Sequence, residues 1–522
     1  MSDSQVSVDA PPQQSAGELS KIAKGGIWTL FGTIIGFLAG PLVSVFIVRR
    51  MSHQQYGELA IAADAAVLLS VLAAFGINGA AIQVVSAEGS ARGESGATQA
   101  MAAAFALSRR LTLVALGILG LAAVVFVAQA HLSHSVVPLL LMGPVVVLAP
   151  YQGVIQGCYS ALHWPRRLSM YGAISSILTG AALIVLIMLE RPPAYVVASI
   201  RGASVILGMS LLYIPLRHWY KGRNPGRQVD FAALSKRLVH MGVAVLLGGI
   251  FAVVLLDFDV VVMGIFRSVR LTGVYAPTSA IAGGAMAILP IMGSFFFPAA
   301  TRMATSGDVA NLGKAYYWAT RWTLVIAAPL LAMILIIPGD LLSGIFGARF
   351  VSMAMPLRIV GIGVTVHILT GLNDLTLDAL GMAKSIIVRY VISIAVVVIG
   401  CFALIPPFGA LGAASATAAG FIAVNLACSV PLYRRVKIVP FNGALWRMLL
   451  VLLAAGAVGA WAAHFVRGDL LKCFVVALVE FGAALLAAWL VAAADERLAI
   501  RRHFRGYLGQ LPVVGTRIHT AR

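Results

Sequence analysis

The sequence predicts an all-α integral membrane protein of about 14 transmembrane helices, arranged as two six-helix halves in parallel orientation around a central cavity, with a C-terminal helix pair appended. Three observations predict it. Hydrophobic residues make up 60% of the 522 positions and charged ones 11%, a balance that no water-exposed surface of ordinary composition can carry. Runs such as Gly25 to Val48 are about 24 residues long, or roughly 36 Å as helix, enough to cross a hydrocarbon core of about 30 Å. The apolar segments also come in two copies, offset by roughly 216 to 218 residues: Gly57 matches Gly273, and Pro138, Gly143, Gly153, Ala161 and Arg166 match Pro356, Gly361, Gly371, Ala379 and Lys384. Duplicated membrane bundles of this kind are the sequence signature of a transporter with two halves.

The spans fall at about 25–48, 57–86, 107–130, 136–161, 168–189, 193–216, 239–266, 273–300, 318–338, 353–380, 386–405, 409–432, 443–466 and 471–494. Residues 1–20, with Pro11, Pro12 and many Ser and Gln, have no apolar core and read as a disordered cytoplasmic tail. Residues 21–216 form the N-terminal six-helix half, 217–237 a basic cytoplasmic linker, 238–435 the C-terminal half, 436–494 the appended pair and 495–522 a basic cytoplasmic tail. With the N-terminus inside, the inner segments hold about 28 of the 38 Lys and Arg residues, which places both termini in the cytoplasm. Six helices separate matched positions, so the halves share one orientation and are related by an axis along the membrane normal.

Several classes drop out. No cleavable signal peptide is visible, and Cys158, Cys401, Cys428 and Cys473 all lie in apolar stretches, so neither a disulfide framework nor a metal site is expected. The net charge of +19 sits mostly in alternating loops, so membrane topology explains it better than nucleic acid does. No cofactor is expected.

Several stretches carry a family resemblance. These are Lys24-Gly25-Gly26 with Trp28-Thr29-Leu30, Val48-Arg49-Arg50-Met51-Ser52, Gln55-Tyr56-Gly57-Glu58-Leu59-Ala60, Phe75-Gly76-Ile77 and Ala81-Ile82-Gln83. In the second half they are Asp259, Gly264, Gly273-Val274-Tyr275-Ala276, Phe297-Pro298-Ala299, and Pro338-Gly339-Asp340 through Ala354. Over about residues 21 to 435 the chain resembles the polysaccharide/oligosaccharide flippases of the multidrug/oligosaccharidyl-lipid/polysaccharide exporter superfamily. The resemblance implies a non-enzymatic transporter of the bacterial cytoplasmic (inner) membrane. Such a protein moves undecaprenyl-pyrophosphate-linked repeat units from the inner to the outer leaflet for a cell-surface polysaccharide. Its implied partners are the lipid-linked oligosaccharide, membrane lipids, and a polymerase and glycosyltransferases of the same pathway.

Charges inside a membrane cost several kcal/mol, about 2.5 to 3.5 on the lenient insertion scale, so each needs a partner or a wet cavity. In the tenth span Thr370, Asp374 and Asp378 recur at spacing four, and the matched positions in the fourth span are Gln152, Gln156 and Ser160. This duplicated polar stripe either lines a substrate path or bonds helices together. Asp257 and Asp259, two residues apart in span seven, cannot share one helix face; with Asp64 in span two they are candidate ion or gate residues, or structural partners of arginines. Arg201 in span six is a candidate cavity cation or a snorkelling side chain, while Glu480 in span fourteen lies outside the duplicated core. Asn425 reads as interhelical glue. Arg49 and Arg50 end span one, and Arg267 and Arg270 end span seven, on the outer side where basic residues are otherwise scarce. They are expected to form a collar that binds pyrophosphate, a gate pairing with Asp257 or Asp259, or anchors in the outer head groups.

Three functions compete. Flipping of a lipid-linked oligosaccharide leads; a small-molecule or multidrug exporter of the same superfamily is favoured by a net acidic cavity. A membrane polymerase or ligase would need catalytic residues in a large outer loop, and the longest, about Gly339 to Ser352, offers only Asp340.

Overall fold

The computed structural model describes residues 42–189, 192–221, 230–439 and 442–491. The expected terminal tails, most of the first span and the middle of the basic linker lie outside the described residues. The helices are α1 (residues 42–50), α2 (His53–Ala74), α3 (Ile77–Ala128), α4 (Ser133–Leu141), α5 (Gly143–Val147), α6 (Ala149–Ala161), α7 (Pro165–Leu189), α8 (Ala194–Lys221), α9 (Phe231–Leu256) and α10 (Phe258–Phe266). They continue as α11 (Val269–Met286), α12 (Ile288–Thr305), α13 (Val309–Ile336), α14 (Pro338–Phe346), α15 (Ala354–Thr370), α16 (Asn373–Ala379), α17 (Ala383–Phe408), α18 (Ala410–Val436), α19 (Gly443–His464) and α20 (Asp469–Val491). No strand interrupts them among the described residues.

Eleven runs among the described residues are long and apolar enough to span a membrane. One of the fourteen expected spans, the first, lies mostly outside the described residues; the rest of the difference has local causes. The run His53–Ala128 joins two expected spans, because Gly93, at φ 65° and ψ −153°, turns the chain without ending the helical hydrogen bonding around it. The fourth span is cut at Met142 and Leu148, each followed closely by a proline, into α4, α5 and α6, none long enough to cross alone. Large aliphatics such as Leu113, Met188 and Leu453 stay exposed, as side chains facing lipid do.

Contacts divide the chain into two compact units: residues up to Gly284 with Ile387–Val424, and Ala285–Ile386 with Asn425 onward. This division follows packing and not the sequence repeat, so the first unit contains spans of both repeats. Helix starts in both units use polar caps: Ser52, Asp230, Asp308 and Asn442 each accept a backbone N–H three residues on.

The repeat is written into the packing of the first unit. The Ser52 hydroxyl accepts from the Gln55 N–H at 3.2 Å, and 216 residues later the Ser268 hydroxyl accepts from the Leu271 N–H, also at 3.2 Å. One turn further on, α2 and α11 cross with no side chain between them. A Cβ on Gly57 would lie 2.0 Å from the Val269 carbonyl oxygen, and one on Gly273 would lie 1.9 Å from that of His53. His53 and Val269 are themselves repeat mates. The contact is therefore reciprocal, as it must be where a two-fold axis relates two like elements.

A second close approach lies farther along. Between α2 and α3, Phe75 and Gly76 both take positive φ, 49° and 65°, which breaks the helix; a Cβ on Gly76 would sit 2.2 Å from the Gly242 carbonyl oxygen of α9. The glycine thus answers a backbone demand and a packing demand together.

Gly57→Ala and Gly273→Ala should each destabilise the protein by about 1–3 kcal/mol, since the backbone oxygen in the way cannot rotate aside. Gly283→Ala, where nothing lies within 4 Å of the added carbon, should be neutral or slightly stabilising. Thermal melts in detergent check this; equal melting of all three variants would refute the crossing.

Candidate functional site: a carboxylate cluster inside the first unit

The site starts with a break that the hydropathy pattern hides. Asp257 closes α9, its N–H bonded to Val253 O at 2.9 Å, and it also precedes the first residue of α10. Asp259 follows in the first turn of α10, where amide N–H groups lack helical partners and a carboxylate suits the helix dipole. Its side chain is 1% exposed. One oxygen accepts from the Val260 N–H at 2.8 Å; the other accepts from the Tyr275 hydroxyl of α11 and from the Thr417 hydroxyl of α18 at 3.0 Å, with Ser279 at 3.5 Å. Three helices are tied through one carboxylate.

Asp64 comes to the same place from α2. It interacts electrostatically with Asp257, Asp259 and Arg201, and Tyr56, two turns before it, with Arg201 and Asp64. Close packing of α2 on α10 brings the acids together: a Cβ on Gly264 would touch the Ile61 side chain at 2.7 Å. Asp64, Asp257 and Arg201 are half-buried. The cluster therefore gathers three carboxyl groups, with one guanidinium acting on Asp64, inside a membrane-spanning bundle. Such a group can take up a cation or a proton.

The outer-side arginines are placed differently from one another. Arg49 and Arg50 are exposed at the end of α1, and Arg270 is exposed in the first turn of α11. Arg267 is half-buried and makes no ion pair with Asp257 or Asp259; its Nε donates to Ile405 O at 3.2 Å, at the end of α17. The turn at Gly409 lies against its guanidinium, 3.7 Å from where a Cβ would stand. Arg267 thus binds a carbonyl in the last turn of a helix, a favourable place for a cation.

The polar stripes of the fourth and tenth spans also separate. Gln152 and Gln156 lie half-buried on α6, where Ser160 donates back to Gln156 O at 3.0 Å. In the second unit α15 ends at Thr370 and α16 begins at Asn373, so Thr370 and Asp374 do not share a continuous helix; Asp374 is half-buried, accepting the Leu375 N–H at 2.8 Å, and Asp378 is exposed. The buried bonds there run through other residues: Tyr316 donates to Asn373 at 2.7 Å, Asn373 to Ser429 at 2.9 Å, and Asn425 to His367 at 2.8 Å. Asn425 does bond helices together, joining α18 to α15.

Sequence reasoning missed Tyr275, Ser279, Thr417 and Tyr56 as members of the cluster. Thr417 had a signal: it stands 216 residues after Arg201, in spans that share Pro215 and Pro431 at the same offset. The repeat position that carries a cation near Asp64 in one copy thus carries a hydroxyl donor to Asp259 in the other.

This fold is shared with solved membrane transporters. The chain is similar to a lipid II flippase MurJ in an inward-closed conformation, with a TM-score of 0.63, 12% identity, and 90% of this chain and 98% of that one covered. It is also similar to a multidrug resistance MATE family transporter of the MOP superfamily in an inward-facing conformation, with a TM-score of 0.62 and 13% identity over 79% of this chain and 98% of that one. A MATE transporter of Vibrio cholerae, VcmN, follows at a TM-score of 0.53 and 13% identity over 81% of this chain and 98% of that one. No curated protein sequence matches significantly. Residues 22–304 match the polysaccharide biosynthesis protein family, and the chain belongs to that family.

Asp259→Leu would leave the Tyr275 and Thr417 hydroxyls without their acceptor, at about 1–3 kcal/mol each, whereas Asp259→Asn keeps an acceptor oxygen. The Leu variant should therefore melt well below the Asn variant. Indistinguishable melting of the two would show that the hydroxyls do not depend on this carboxylate.

Proposed function

We propose that this protein flips an undecaprenyl-pyrophosphate-linked oligosaccharide repeat unit from the cytoplasmic to the outer leaflet of the bacterial inner membrane, by alternating access, for export of a cell-surface polysaccharide. The observation that carries this reading is membership of the polysaccharide biosynthesis family by a chain folded as a duplicated membrane transporter. Both termini lie in the cytoplasm. No bond of the substrate is made or broken.

Within this reading the crossing of α2 and α11 is the outer gate. It lies one turn from the Ser52 and Ser268 caps, at the end that the charge partition assigns to the outside. Bare backbone contact suits a gate, because it seals tightly and yet parts without breaking a side-chain lock. At the other end Arg237 of α9 bonds Glu88 of α3 at 2.9 Å, joining spans of the two repeats on the cytoplasmic side. Asp64, Asp257 and Asp259 take up the coupling cation or proton, and Arg201 replaces it as counter-ion when the site empties. Arg49, Arg50 and Arg270, exposed outside, draw the pyrophosphate outward. Gln152, Gln156, Asp374 and Asp378 line the substrate path. Lipids, a polymerase and glycosyltransferases are the partners in this scheme.

The acid excess of the cluster also favours a second reading, export of small cationic molecules. The two separate in a deletion strain. A flippase defect leaves lipid-linked oligosaccharide accumulated and confined to the cytoplasmic leaflet of sealed vesicles; an exporter defect leaves that lipid unchanged and raises sensitivity to cationic dyes. Complementation by Asp64→Asn or by the Arg49→Ala, Arg50→Ala pair should fail at normal membrane abundance, while the corresponding Lys pair retains part of the export. Full export by the Ala pair would remove the outer arginines from the mechanism.

A further inference from the structure

The second unit contains an acid that the transport scheme does not use. Glu480 sits near the middle of α20 and is 2% exposed, and its Oε2 has no hydrogen-bond partner. Its other oxygen fits into a notch in α19: a Cβ on Gly456 would come within 2.9 Å of Oε1. The acid lines a cavity of about 130 Å³ between α13, α15, α19 and α20, whose other walls include Leu324, Leu331, Leu335 and Leu452.

Among the described residues no cation pairs with this carboxyl. Lys472, two turns away on the same helix, is held by Asp340 at 2.6 Å and by Asp469 at 3.6 Å. Arg358 of α15 donates to the carbonyls of Leu335 at 2.8 Å and Ile336 at 3.2 Å. Thr365, the other polar residue of the wall, donates to its own helix at Gly361 O, 2.7 Å away. Among the described residues none forms an ion pair with Glu480. Leu453, which also lines the cavity, is 71% exposed and so opens it toward the lipid.

We propose that this cavity is a binding site for an amphiphilic ammonium compound, a compact hydrocarbon body bearing one N–H cation, entering from the lipid phase. The aliphatic walls take the body, and the carboxylate of Glu480 accepts from the ammonium. A buried carboxyl gains most from a donor that also carries the opposite charge, so an amine is favoured over an alcohol. Like charge excludes anions. A single acid with no further oxygen ligand set does not make a site for a hard divalent cation.

The test uses the full-length protein in lipid nanodiscs with adamantylamine, adamantanol and adamantane carboxylate as probes, their binding measured by calorimetry. The amine should bind saturably, the alcohol about tenfold or more weakly, and the carboxylate not at all. Glu480→Gln should weaken the amine by about tenfold while leaving the alcohol unchanged. Ala328→Leu, which fills the cavity and keeps the acid, should abolish binding of both. Non-saturable amine uptake, equal affinity for amine and carboxylate, or amine binding unaltered by Glu480→Gln would overturn the site. Should Glu480→Gln not fold, unaltered amine binding to Ala328→Leu would overturn it instead.

Discussion

Everything in the first unit depends on how closely α2 and α11 approach. Two helices whose backbones touch cannot carry side chains at the contact, and Gly57 and Gly273 are the residues that permit it. Because the two glycines are repeat mates, and each faces the partner of the other's neighbour, the crossing fixes the local two-fold relation between the copies. From that point α2 runs past α10, bringing Asp64 beside Asp257 and Asp259, and the chain breaks at Phe75 and Gly76 to follow α9. The position of the charge cluster is thus a consequence of the crossing.

The cluster in turn explains why intramembrane hydroxyls sit where they do. A carboxylate in a bundle of apolar helices needs donors, and Tyr275 and Thr417 supply them to Asp259 from two separate helices. Asp64 and Asp257 are less enclosed, and Asp64 lies in the field of Arg201. One acid is held by fixed neutral donors and another faces a cation, an arrangement with an anchored member and an exchangeable one. Anchoring and exchange are the two properties that coupling a bound ion to a moving helix requires.

Much of this was legible in the chain itself. Length and apolarity of the runs marked the membrane helices, and the offset of 216 paired Gly57 with Gly273 before any contact was known. The acids Asp64, Asp257 and Asp259 stood out because charge is scarce in such runs. The breaks did not stand out. Asp257 interrupts a stretch of uninterrupted hydropathy, and Phe75 takes a left-handed conformation that its side chain gives no sign of. Donors were harder still, since Ser and Thr in membrane helices commonly bond their own backbone, as Thr272 does to Ser268 O, so that Thr417 carries no distinguishing mark apart from its repeat mate Arg201. Arg267 misled for a related reason: sequence distance from Asp259 suggested an ion pair, while tertiary packing offered it the carbonyl of Ile405.

The claim that the crossing opens during transport is the one on which the functional account rests. Spin labels at Gln54 of α2 and Ser268 just before α11, exposed positions flanking the contact, report its separation directly. Pulsed electron spin resonance in bilayers should find one short distance at rest and a second, longer population once lipid-linked substrate and an ion gradient are supplied. A single short distance under conditions of active transport would show that α2 and α11 are a permanent scaffold and that the outer gate lies elsewhere.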